Sequence, residues 1–236
     1  MLAGLGVATS SAFAGLLDWF CKKLEQGMEL VHTPSNWPEW NGYKKAFISK
    51  DGRVVDHSTA DLRTVSEGQA YGLFLALVAN DRPTFDRLLQ WTANNLAKGD
   101  LKQNLPAWHW GKTGNQWGVI DPNSASDADL WIVYCLIEAS RIWKDNEYEL
   151  IGRQLAQQIL LKEVLLVEGL GLSLLPGEKG FVRANGTVKL NPSYVPPFLM
   201  ARLADHFENQ PAWAELYLGS QNLLLQSVEK GLFPDW

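Results

Sequence analysis

The amino-acid sequence predicts an all-α protein whose helices form two concentric layers. Three observations carry that prediction. Apolar helical runs with little or no charge alternate with amphipathic ones; this couplet occurs three times, the second run being broken only by Glu138 and Arg141; and each apolar run opens on a serine followed by a polar residue, near positions 66, 126 and 193. A helix that is apolar all round has to be covered all round, whereas an amphipathic helix keeps one face for water. The uncharged runs therefore form an inner layer and the amphipathic ones an outer layer. An α/α toroid meets this requirement, and so does a superhelical array of helix pairs. Three pairs and one leading helix make an arc, not a ring.

In chain order, residues 1–14 (MLAGLGVATSSAFA) are small and apolar and end in Ala12-Phe13-Ala14, as a secretory signal does, although no basic leader precedes them. Residues 15–36 hold a short amphipathic stretch, Leu16 to Leu30, then Pro34, and read as a poorly determined extension. Pro38 opens the leading helix, 38–48, at the position where a missing N–H costs nothing. A turn and a short extended piece follow in 51–65. Gln69 to Asn80 is the first inner helix, expected to be buried on every side. Pro83 to Ala97 repeats Phe85, Leu88, Leu89, Thr92 and Leu96 at helical spacing, the mark of an outer helix. Ser126 is expected to cap the second inner run, Leu130 to Trp143, with Tyr148 to Val164 outside it. The third pair is Val195 to Phe207 and Ala212 to Val228. Between the second and third pairs, GLGLSLLPGEKGF and NGTVKLN alternate apolar residues between glycines, which predicts a small β-hairpin insertion near 165–190.

Composition narrows the function. Of 236 residues, 46% are hydrophobic and 20% charged, which excludes a disordered tail. The net charge of −5 and thinly spread Lys and Arg argue against a nucleic-acid partner. The longest apolar runs are too short for a membrane span. Two cysteines, Cys21 and Cys135, make no disulfide framework, and Cys135 reads as a buried small hydrophobe. His32, His57, His109 and His206 are scattered, without zinc spacing, and neither a phosphate loop nor a GxSxG elbow occurs. No metal or cofactor is expected.

Eleven tryptophans, several beside Gly, Pro and Asn, are the unusual feature. If the inner helices run parallel, their first turns gather at one rim. Glu67, Asp127 and Tyr194 each follow the serine that opens an inner run, and Asp129 lies two residues beyond Asp127. An acidic residue in a first turn is also ordinary helix chemistry, favoured by the helix dipole. Three at one rim, with Trp108, Trp110 and Trp117 in the loop entering the second inner helix, fit a polysaccharide cleft equally well. Indole stacks on the apolar face of a sugar ring, and glycoside hydrolysis needs a carboxylic acid to protonate the leaving oxygen.

At these residues the sequence resembles glycoside hydrolase family 8. Ser66-Glu67-Gly68-Gln69-Ala70-Tyr71-Gly72 is similar to the segment around that family's general acid, Ala125-Ser126-Asp127-Ala128-Asp129 onward to Trp143 to its signature helix, and Asn191-Pro192-Ser193-Tyr194 to a third motif. The flanks, WPEW, YKKAFIS and LPAW, are most similar to the periplasmic branch associated with bacterial cellulose synthase. The resemblance covers about residues 37–236.

The resemblance implies an (α/α)6 barrel, or toroid, here incomplete, with about seven of the twelve helices that six pairs require. It implies hydrolysis of β-1,4-glucan with inversion, an endoglucanase activity, and association with the cellulose synthase machinery. Glu67 is then the general acid. Asp127 binds and distorts the sugar ring at the cleaved bond, and Tyr194, Trp108 and Trp110 contact substrate. Inversion leaves room for water between acid and base, a carboxyl separation of roughly 6.5–9.5 Å. The family's general base lies in a Tyr-Asp-Ala-Ile-Arg type segment, which these residues do not contain. The alternatives are a glucan-binding fragment without catalysis and a helical-repeat interaction protein. A periplasmic or secreted location follows from the resemblance and from residues 1–14.

Overall fold

The computed structural model describes residues 37–229 and Leu232. The leader and extension expected over 1–36, with Cys21 and His32, lie outside the described residues. Seven α-helices make up the frame: α1 (Pro38–Phe47), α2 (Ser66–Val78), α3 (Arg82–Leu96), α4 (Ser126–Trp143), α5 (Asn146–Lys162), α6 (Pro197–His206) and α7 (Pro211–Ser227). Helices α2, α4 and α6 pack side by side, α4 in the middle, and α3, α5 and α7 cover them one each. The two-layer arrangement expected from the alternation of uncharged and amphipathic runs is the one found. The core lies between the layers, on Leu73, Leu88, Leu130, Ile132, Leu136, Leu155, Leu199 and Leu203, none of them more than marginally exposed. Cys135 lies within it, fully buried. No helix of the described residues is long and apolar enough to cross a membrane.

Two small antiparallel sheets sit on this frame. β1 (Thr64–Val65), β2 (His109–Thr113) and β3 (Gln116–Asp121) form one, so most of the tryptophan-bearing segment expected as a loop is a hairpin. β4 (Val164–Val167) and β5 (Gly171–Leu174) form the other. The expected insertion hairpin is therefore present but lies earlier: α5 stops at Lys162, and Val164, read as helical, already belongs to a strand. Of the rest of the expected insertion, Val182 and Val188 make a single bridge. Helix α7 lies directly on β5. A Cβ on Gly219 would stand 1.8 Å from the carbonyl oxygen of Leu172, so no larger residue fits without parting the two elements.

Three details differ from expectation. Ser66 and Ser126 are the first residues of their helices and not caps; Val65 and Ala125 hold the cap positions in extended conformation, and no side chain bonds there. The third inner run does not start a helix at 193. Asn191 caps a short 3₁₀ turn, Pro192–Tyr194, and α6 begins at Pro197, because Pro196 and Pro197 each push the residue before them out of helical conformation. Finally, α2 is not covered all round: Tyr71 is 45% exposed and Phe74 and Leu75 are half-buried, on the side that faces away from α3.

Two polar clusters fix the first three helices. Gln69, fully buried, accepts from the backbone N–H of Val54 (2.6 Å) and donates to the carbonyls of Gly52 (3.1 Å) and Leu88 (3.3 Å) and to Oγ1 of Thr92 (3.0 Å). One amide thus joins α2, α3 and the 52–54 turn. Asp81 caps α3 through the N–H and hydroxyl of Thr84 and also receives the indole N–H of Trp40 (3.0 Å) and the ammonium of Lys44 (2.7 Å). This carboxylate holds α1 against the α2–α3 corner. Removal of Gln69 strands the N–H of Val54 and leaves a void. Gln69→Ala is expected to lower stability by about 2–4 kcal/mol in urea unfolding, whereas Gln90→Ala, on the exposed face of α3, should stay within about 0.5 kcal/mol.

Candidate active site

Glu67 and Asp127 occupy the same place on two helices: each is the second residue, on α2 and on α4. Backbone hydrogen bonds bring those two helix starts together. The carbonyl of Trp108 accepts from the N–H of Ser66 (3.0 Å), and the N–H of Trp108 donates to the carbonyl of Asn123 (2.7 Å), three residues before α4. Trp108 therefore bridges the two first turns. One turn deeper the helices are again matched. Tyr71, four residues after Glu67, meets Trp131, four residues after Asp127, edge to face at 5.9 Å. Phe74, Tyr134 and Phe198, the last on α6, surround the same indole at 5.0, 5.7 and 5.8 Å. Two carboxyl groups thus lie one turn from a partly exposed aromatic surface, at the place where the sequence leads one to expect a groove.

The electrostatics follow from burial. Glu67 is held above the usual carboxylate range because burial disfavours its anion, against the pull of its own backbone N–H and of the Ser66 hydroxyl (3.2 Å). Asp127 is pushed up to about 6, first by burial and then by the negative charge of Glu67, against first-turn N–H groups. Its Oδ1 is buried and receives no hydrogen bond from the described residues. The Tyr71 phenol is raised as well, by burial and then by the charges of Asp127 and Glu67. These three groups thus sense one another across the two helices. Both acids retain a proton more strongly than an exposed carboxyl would, and such a pair is able to donate a proton to a bound oxygen.

The other expected residues are placed as follows. Trp108 is half-buried, its ring 4.8 Å from that of His109, and its indole N–H bonds Asp121. His109 is fixed by Asp61, Nε2 to Oδ2 at 2.8 Å, and this bond draws Asp61 down to about 2. His109 thus has a structural partner. Trp110 stacks on Trp117 (5.3 Å), meets Trp91 edge on and carries the Arg53 guanidinium 4.5 Å from its ring centre, so it belongs to a cluster of its own beside the groove. Tyr194 lies on the 3₁₀ turn leading to α6, half-buried against the core, four residues before Phe198. No group of His, Cys, Asp and Glu able to hold a metal ion occurs among the described residues. Sequence reasoning missed Tyr71 and Trp131. Their spacing of four from Glu67 and Asp127 was a usable signal, since residues four apart share a helix face.

The sequence model of the family described as "Glycosyl hydrolases family 8" matches residues 12–236. An endoglucanase of Escherichia coli K12 is 50% identical over 208 residues, which are 87% of this chain and 55% of that protein. An endoglucanase of Cellulomonas uda is 33% identical over 82% of this chain and 52% of its own length. Among solved structures, the endo-1,4-D-glucanase of Vibrio fischeri superposes with a TM-score of 0.82 at 49% identity, covering 85% of this chain and 58% of the other. The endo-β-1,4-glucanase of Acetobacter xylinum gives 0.74 at 28%, covering 84% and 60%. The chain spans about half the length of the curated relatives it matches.

A raised carboxyl pKa is a stability statement. Unfolded Asp127 ionises near its ordinary 3.8, while folded Asp127 keeps its proton to about 6; its charge therefore works against folding increasingly between those values, and fully above them. Asp127→Asn is expected to match the parent below about pH 4 and to exceed it by about 1–3 kcal/mol at neutral pH, read from unfolding at a series of pH values.

Proposed function

From the membership of this chain in glycosyl hydrolase family 8, we propose that it carries the acid side of an endo-β-1,4-glucanase that cleaves cellulose-type glucan with inversion. The observation that carries the reading is the matched placement of Glu67 and Asp127 on two adjacent buried helices, with Trp108 bridging their first turns. Glu67, whose burial favours the protonated form, donates its proton to the leaving glycosidic oxygen. Asp127, partly exposed in the first turn of α4, accepts hydroxyl hydrogens of the sugar at the cleaved bond. Trp108 offers an indole face to a neighbouring ring, and Tyr71 and Trp131 line the groove below. Tyr194 and Trp110 flank the groove as further sugar contacts.

The general-base segment expected from the family's pattern has no counterpart in these residues. Residues 1–236 produced on their own should therefore turn over about 10²–10⁴-fold more slowly than a relative holding both groups, while glucan binding persists. Residues 37–236 read as the N-terminal part of the barrel domain. A periplasmic or secreted location accords with the composition of residues 1–14, and association with the cellulose synthase machinery with the likeness of the flanking motifs.

The test is twofold. Release of reducing ends from carboxymethylcellulose is expected to be slow and to vanish in Glu67→Gln. Cellotetraose affinity, measured by calorimetry, is expected to fall about tenfold or more in Trp108→Ala, the loss of one stacked aromatic contact. Binding without turnover identifies a glucan-binding fragment. A chain that neither binds cellotetraose nor releases reducing ends overturns the reading.

A further inference from the structure

Behind Asp127 lies a pair of carboxyl groups that the acid chemistry does not use. Asp129, two residues along α4, and Glu163, which follows the last residue of α5, are both fully buried, and each carboxyl acts directly on the other. No N–H or hydroxyl of the described residues donates to either carboxyl oxygen of Asp129 or to Oε2 of Glu163. Two carboxylates offer only acceptors, so a hydrogen bond between them requires a carboxyl proton. Oε1 of Glu163 receives the hydroxyl of Ser124 (2.5 Å), whose oxygen accepts the N–H of Glu178 (3.0 Å). Around this point the chain is tightly closed. The N–H of Ser126 bonds the carbonyl of Pro176 (3.1 Å), the N–H of Leu175 bonds the carbonyl of Glu163 (2.7 Å), and a Cβ on Gly177 would stand 2.3 Å from the carbonyl of Ser124.

We propose that Asp129 and Glu163 are positioning residues: a carboxyl pair that retains a proton at neutral pH and, through it, holds the first turn of α4, and with it Asp127, against the end of α5 and the 175–178 loop. The proposal deepens the glucanase reading and rests on it for the meaning of Asp127; the proton-holding pair stands apart from it. Burial opposes ionisation of both groups. Asp129 is driven well up, by burial first and by the charge of Glu163 next, and Glu163 is raised to about 8, mainly by burial. Asp127 faces both members and Glu178 faces Glu163; Glu67 acts on Asp129, and the Tyr71 phenol senses Asp127 and Glu67. All are acids, so each charge gained around the pair on the alkaline side adds repulsion. Loss of the proton replaces a bond by two facing anions and frees the turn that carries Asp127.

The sign is set by the direction of the shifts. A carboxyl whose folded pKa is raised favours folding below its unfolded value and loses that contribution as pH climbs to the folded value. The thermal midpoint of the full chain is expected to fall from the ordinary carboxyl range up to about pH 8 and to level off above it, whereas its affinity for cellotetraose, a property of the folded chain, declines as pH rises past about 8. Asp129→Asn with Glu163→Gln replaces the proton by amide N–H groups that do not titrate; this double variant should fold, by circular dichroism, keep a level thermal midpoint above about pH 6, where Asp127 has ionised, and show no alkaline loss of affinity. Asp129→Ala removes the bond and should weaken cellotetraose affinity about tenfold. Carbon-13 signals of the side-chain carboxyls should show a neutral Asp129 at pH 7. An ionised Asp129 at pH 7, or a thermal fall between about pH 6 and 8 and an alkaline loss of affinity that are equal in parent and double variant, overturns the proposal. A parent chain that fails to bind cellotetraose at any pH strikes the glucan reading alone, and the thermal and carbon-13 results still decide the pair.

Discussion

A single amide sealed from water, that of Gln69, is the constraint on which the geometry of the site depends. Its oxygen and both its N–H groups are engaged, and the partners belong to the 52–54 turn and to α3. Because a buried amide group without a partner is costly, α2 can neither rotate nor slide without breaking several bonds at once. Gln69 lies two residues from Glu67, on the opposite side of the helix. Fixing one side therefore fixes the direction in which the acid points. Helix α4 is placed differently, by apolar packing along most of its length and by Glu138 at its far end, which draws Arg141 and Arg202 to within 2.8 Å.

Burial then raises both acids, with no cation of the described residues acting on either. The first turns of α2 and α4 offer N–H groups, which favour anions, yet the low-dielectric surroundings win for both Glu67 and Asp127. The same helices placed at the surface would hold two ordinary carboxylates. Whatever excludes water from these first turns thus sets the acidity of the two carboxyls, because it removes the solvent that would otherwise stabilise the anions.

Much of this was legible in the sequence. Alternation of uncharged and amphipathic runs revealed the layers, since a buried helix cannot hide its composition, and the paired acidic positions followed from the start of each run. What the sequence withheld had local causes. The capping role given to Ser126 failed because an extended alanine precedes it and the serine itself already belongs to the helix. The hairpin lay earlier than its glycines implied, because Val164 to Val167 carries apolar residues that suit either an outer helix or a strand. Tyr71 was hidden by its neighbours: a run without charge reads as buried throughout, and only packing shows which aromatic side chain faces the groove. Asp129 and Glu163 stand thirty-four positions apart, and nothing in either segment announces the other.

The clamp at Asp81 gives the molecule an order of disassembly. Burial alone would weaken this carboxylate, but Lys44, Trp40 and Thr84 together hold it below its usual range. Helix α1 has this anion, the buried ring of Trp40 and the backbone bond from Val55 to Phe47 as its ties, while at the far end of α4 the Glu138 carboxylate holds two arginines. Strong acid discharges both carboxylates, so the leading helix and the far end of α4 loosen together, whereas the neutral amide of Gln69 keeps α2 on α3.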